Sequence, residues 1–131
     1  MINPAGFFSE LSPGWGLPES GSIRDAVRSP GEADEAEIAS YLLNGTEIWS
    51  EMSAGRDVLD PEGRILTGIG SLYTDGEWIW RGDLSHYVSH HHVALPDQFV
   101  THIRDANYSP PKVPENRLAA IATEDLGMSL D

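Results

Sequence analysis

Five histidines are the first residues in this chain whose type and spacing could do chemistry: His86, His90, His91, His92 and His102. On a helix, His86 and His90 stand at the i, i+4 spacing that lets two imidazoles hold one metal ion, and Asp83 lies on the same side as a third potential ligand. The helical wheel argues against a working site, because His86 and His90 fall opposite the apolar stripe of Leu84, Tyr87, Val88 and His91 and so point to solvent. No HExxH pattern occurs, and His91 reads as a hydrogen-bonded boundary residue. Neither a metal nor any other cofactor is therefore expected. Nucleophilic catalysis has no better footing, since no serine sits in a Gly-x-Ser-x-Gly elbow and the absence of cysteine removes thiol chemistry, disulfides and zinc ribbons. Gly68-Ile69-Gly70 leads into a strand and not a helix N-terminus, so it is not a phosphate cradle. No catalytic residue is assigned, and the chain reads as a non-enzyme.

The elements that position these residues follow from periodicity. Acidic residues from Glu32 to Glu37 precede an apolar stripe of Ile38, Ala39, Tyr41, Leu42 and Leu43, which predicts a helix over 32–43, stopped at Asn44-Gly45 and carrying its acids on a solvated face. Alternation from Thr46 to Glu51 predicts a strand. Asp75-Gly76, set between Ile65–Thr74 and Glu77–Trp80, predicts a two-residue hairpin that pairs Tyr73 with Trp78 and Leu72 with Ile79. Tyr73, Trp78 and Trp80 then share one face, with Leu72 and Ile79 on the other, so the sheet is either covered twice or offers one aromatic face for recognition. Asp83 caps a helix over 83–92, and Pro96 opens another over 96–107 with Phe99, Val100 and Ile103 inside. A weak helix spans 115–123 before a frayed tail over 124–131. Residues 1–31, with four prolines and five glycines, form an arm anchored by Phe7, Phe8, Leu11 and Trp15, with a short turn capped by Ser22. Arg81-Gly82-Asp83 spells an integrin-binding tripeptide but reads as the turn between hairpin and helix cap. The expected fold is α+β: an antiparallel sheet centred on a hairpin over 65–81, packed against helices in one domain over 32–123.

Net charge supplies the functional expectation. The chain of 131 residues carries 21 Asp and Glu against 8 Lys and Arg, a formal charge of -13. Such a field repels nucleic acid and anionic lipid and attracts a basic protein. No apolar run approaches the ~20 residues of a bilayer span, and the N-terminal segment lacks a secretory pattern, so the expected location is cytoplasmic. The alternatives are a metal-binding protein or enzyme using the histidine-rich helix, and a structural domain whose aromatics are all core.

A resemblance sharpens this. The runs Asp57-Val58-Leu59-Asp60-Pro61 and Gly70 through Trp80, then Asp83-Leu84, Tyr87-Val88, and Val93 through Pro96 with Phe99, resemble a group of small actinobacterial proteins. These pair a Ser-Leu-x-Thr-Asp-Gly hairpin ending in alternating tryptophans with a helix capped by Asp-Leu and another started by Leu-Pro. The resemblance spans residues 57–104 and extends to 41–45. In size, acidity and single-domain form the group is similar to the immunity proteins of polymorphic toxin systems. On this basis the expected function is an immunity- or antitoxin-like inhibitor that covers a basic bacterial toxin. The residues expected at the partner interface are Tyr73, Trp78, Trp80, Arg81 and Asp83.

Overall fold

A computed structural model of the chain describes residues 2–11 and 16–128. The fold is α+β. Its strands are β1 (Asn3–Ala5), β2 (Thr46–Trp49), β3 (Ala54–Arg56), β4 (Ile65–Thr67), β5 (Leu72–Thr74) and β6 (Trp78–Arg81), and its helices are α1 (Ile23–Ala26), α2 (Glu35–Leu43), α3 (Leu84–His91), α4 (Asp97–Asp105) and α5 (Glu115–Ala120). The main sheet runs in the order β1-β6-β5-β2, and β3 and β4 form a separate two-stranded ribbon. β1 joins β6 in parallel, so the sheet is mixed where an antiparallel one was expected.

The hairpin forms, in a different register. Thr74 lies opposite Ile79, Tyr73 opposite Trp80 and Leu72 opposite Arg81. The reason is side-chain hydrogen bonding in the turn. One carboxylate oxygen of Asp75 accepts from the amides of Glu77 and Trp78 at 2.9 and 2.8 Å, while the Thr74 hydroxyl donates to the Trp78 carbonyl at 2.6 Å. These bonds take four residues into the loop, in the manner of an Asx-turn, instead of two. Side chains alternate with period two, so this two-residue slip leaves the face assignment intact. The longer expected strand over 65–74 is split instead, because Gly68 turns at φ +68 and its amide donates to Ser53.

Both faces of the sheet are covered. Trp78 and Trp80 pack with Phe99, Tyr41 and the buried stripes of α2, α3 and α4. Trp78 stacks on Phe99 with ring centroids 4.7 Å apart. On the opposite face, Leu72 and Ile79 meet Ile2, Phe7, Leu17, Ile121 and Leu126. The N-terminal arm is thus one wall of the core. Phe8 and Leu11 pack into the first cluster, and Trp15 lies outside the described residues. Ser22 caps α1 through the Arg24 amide, and the partner that completes this cap is Glu10, whose carboxylate accepts from the Ile23 amide at 2.8 Å. After α5 the chain continues in a π-helical turn over Ile121–Asp125, and Leu126 is buried, so the expected frayed tail is docked as far as that residue. Among the described residues no helix is long and apolar enough to cross a membrane.

Because Phe7 is fully buried in the cluster between the arm and the C-terminal helix, Phe7→Ala should cost about 3–5 kcal/mol in urea denaturation. A cost near zero would mean that the arm is an appendage.

Candidate functional site

The chemistry-bearing side chains gather where α3 and α4 meet the loops before them. α3 begins after Asp83, but the Asp83 carboxylate does not cap it. It is held instead by Arg81, whose Nε and Nη2 donate to its two oxygens at 3.2 and 3.1 Å, while Nη1 reaches the Leu11 carbonyl at 2.8 Å. Burial pushes the Asp83 carboxyl above its ordinary range, and Arg81 opposes that rise. Gly82 crosses the turn at Gly68 so closely that a Cβ would stand 2.5 Å from the Gly68 carbonyl oxygen. The Arg-Gly-Asp tripeptide is therefore folded inward.

This placement corrects the expected interface. Trp78, Trp80, Arg81 and Asp83 are all buried and Tyr73 is half-buried against the same core. Their side chains are spent on packing and on one another. Trp80 is 1% exposed, and its indole donates to the Leu42 carbonyl at 2.9 Å. Trp49, at the end of β2, is 42% exposed.

His86, expected to face solvent, is instead turned inward together with His91. His86 Nε2 and His91 Nε2 each lie 2.6 Å from the same oxygen, Oδ2 of Asp57. Asp57 lies in the loop that leaves β3, and its other oxygen accepts from the amides of Leu59 and Asp60 at 2.9 and 3.1 Å. Burial pushes this carboxyl up, but the imidazole hydrogen bonds of His86 and His91 and the Leu59 amide outweigh it and hold the group down at about 2. The i, i+4 pair that the helical wheel argues against is His86 with His90; the two imidazoles that converge are His86 and His91. His90 stacks on the His86 ring from outside, centroids 4.3 Å apart, and remains exposed. Sequence spacing missed Asp57 because it is 29 residues from His86 and arrives through the loop.

Two more histidines meet carboxylates. His92 Nδ1 lies 2.9 Å from both oxygens of Glu35. His102 Nε2 lies 3.0 Å from Asp75 Oδ2, which also accepts from the Tyr41 hydroxyl at 2.6 Å. Burial, then the Asp75 carboxylate, raises the Tyr41 phenol well above its ordinary range.

Beside His92 opens a cleft of about 550 Å³ between α2, the 28–32 segment and the α3–α4 connection. Ile38, Val88, Val93 and Val100 contribute its apolar lining, and Glu32, Glu35 and Asp97 contribute carboxylates, with Arg28 the one guanidinium. Gly31 closes over it so tightly that a Cβ there would collide with the Glu35 carboxylate and the His92 ring. The acidic run before α2 is thus partly engaged. Arg104 donates to Asp34 at 2.8 and 2.9 Å and to Glu32 at 3.2 Å, and the Tyr108 hydroxyl donates to Asp34 at 2.6 Å. Those hydrogen bonds, Arg104 first, hold the Asp34 carboxyl well below the usual range.

Comparison of the chain with protein-family models, with curated proteins and with solved structures finds no match.

Asp34 tests the acidic clamp between α2 and α4. A carboxyl whose folded pKa is lowered contributes stability that is present above its unfolded value near 4 and is lost as pH falls toward the folded one. Asp34→Asn should lower stability at neutral pH by about 1 kcal/mol and flatten the acid limb of the stability curve below about pH 4. An unchanged acid limb in circular dichroism titrations would contradict the assignment.

Proposed function

We propose that this protein is a non-catalytic, acidic protein-binding module that inhibits a basic partner by occlusion, in the manner of an immunity or antitoxin protein. The observation that carries the reading is the cleft beside α2, whose apolar floor and carboxylates at Glu32, Glu35 and Asp97 suit a lysine or arginine side chain of the partner. An aliphatic stem covers the valines while its cationic head meets the rim. This replaces the buried hairpin aromatics as the anchor point.

The charge ledger supports the same reading. Arg24, Arg28, Arg56 and Arg117 donate to backbone carbonyls of the chain itself. Among the described residues only Arg81 and Arg104 form arginine–carboxylate ion pairs, so most of the carboxylates have no arginine partner, and the net charge of -13 stands whatever pairs form. A surplus of this kind accelerates encounter with a basic surface and repels nucleic acid. The candidate partner is a basic toxin.

The test is calorimetric binding of the protein encoded by the adjoining gene, at low and at high salt. Association should weaken steeply with salt, and the triple variant Glu32→Gln, Glu35→Gln, Asp97→Asn should bind at least about tenfold more weakly, which is ~1.4 kcal/mol. Equal affinity of the triple variant, or no association at low salt, would refute the reading.

A further inference from the structure

Against the expectation of no metal, we propose that Asp57, His86 and His91 form a binding site for one borderline divalent cation, with zinc the fitting probe. This goes beyond the docking reading and uses none of the cleft residues named for it. Three observations carry it.

The first is convergence. The two imidazole Nε2 atoms and Asp57 Oδ2 all lie within 4.8 Å of one another, from a loop and a helix far apart in sequence. Two nitrogens and one carboxylate oxygen are the donor set of three-ligand zinc sites that keep a fourth position open. A tetrahedral ion with bonds of about 2.0–2.1 Å separates its donors by about 3.3 Å. The present 2.6 Å contacts need to open by about 0.7 Å, which small torsions of two imidazoles on a helix surface supply.

The second is orientation. Asp57 uses Oδ1 on the amides of Leu59 and Asp60, which leaves Oδ2 as the oxygen presented to the histidines. Its loop is tied down on both sides, since the Tyr87 hydroxyl accepts from the Val58 amide at 3.1 Å and Arg24 donates to the Val58 carbonyl at 3.2 Å. A ligating carboxylate needs outer hydrogen bonds of this kind to hold its aim. His92 and His102 illustrate the contrast, because each meets carboxylates without a second imidazole.

The third is access. The Asp57 side chain is 1% exposed, whereas those of His86 and His91 are 16% and 23% exposed. An ion held here has a buried anionic ligand beneath it and an approach from solvent past the imidazoles. The open position would take water or a donor from a partner.

The experiment uses the full chain made without a histidine tag and stripped with a chelator. Titration with zinc chloride in a calorimeter should show one equivalent bound with micromolar or tighter affinity, and thermal unfolding should shift upward with zinc. Cobalt should give the intense visible bands of tetrahedral coordination. His86→Gln, His91→Gln and Asp57→Asn should each weaken zinc binding by about 100-fold, whereas His90→Gln, His92→Gln and His102→Gln leave it unchanged. Asp57→Asn retains Oδ1 for the Leu59 and Asp60 amides, so the loop keeps its turn while the ligand oxygen is lost. Absence of zinc binding, or binding that survives the first three substitutions, would overturn the proposal and leave a purely hydrogen-bonded cluster. Loss of binding in the His90 or His92 variant, with the first three unaffected, would relocate the ion and equally overturn it. None of these results bears on whether a basic protein docks at the cleft, so the two proposals fail separately.

Discussion

The structure depends on one buried carboxylate, that of Asp75. An unpaired carboxylate in a low-dielectric interior costs several kcal/mol, so the surrounding chain must bring donors to it. It brings four. The amides of Glu77 and Trp78 close the turn on one oxygen, and the Tyr41 hydroxyl and His102 imidazole meet the other. A single residue thereby fixes the hairpin register and sets α2 and α4 on the same sheet face, where Phe99 stacks over Trp78. Among the described residues no buried side-chain nitrogen or oxygen lacks a partner.

The same economy governs the other polar groups. Arg81 and Asp83 neutralise each other inside the fold and so hold the end of β6 to the start of α3. Histidines recur as partners of carboxylates at Asp57, Glu35 and Asp75, each joining a helix to an element distant in sequence. At the cleft, Glu32 and Glu35 already meet Arg104 and His92, so a cationic side chain of a partner would join these pairs beside Asp97. The Asp57–His86–His91 cluster and the cleft both draw on α3, the first through His86 and His91 and the second through Val88. That helix is the scaffold common to both proposals.

Packing explains why Trp78 and Trp80 are buried. A four-stranded sheet with apolar side chains on both faces needs two covers, and α2 with α4 supplies one. The arm and the C-terminal helix supply the other through Phe7, Leu17, Ile121 and Leu126. With both covers in place, Trp80 has no route to a partner. Parity protects this arrangement, because the hairpin could slip by two residues without exchanging its faces.

The helices at α2, α3 and α4, the hairpin centre and the face assignment of Tyr73, Trp78 and Trp80 were all legible in the residues themselves, since periodicity and capping are local properties read over one or two turns. Composition likewise determined the acidic field. Tertiary structure decided what local pattern does not encode: that Asp75 faces inward and lengthens the turn, that Asp83 serves Arg81 instead of a helix cap, and that β1 adds in parallel. It also decided that His86 and His91 share Asp57 while His90 stays outside, because the loop carrying Asp57 brings Oδ2 to where their two Nε2 atoms meet. The physical reason is common to all four. A side chain's partner is set by which distant segment the folded backbone places within about 3 Å of it, and hydrogen bonds are too short-ranged for sequence spacing to foretell that.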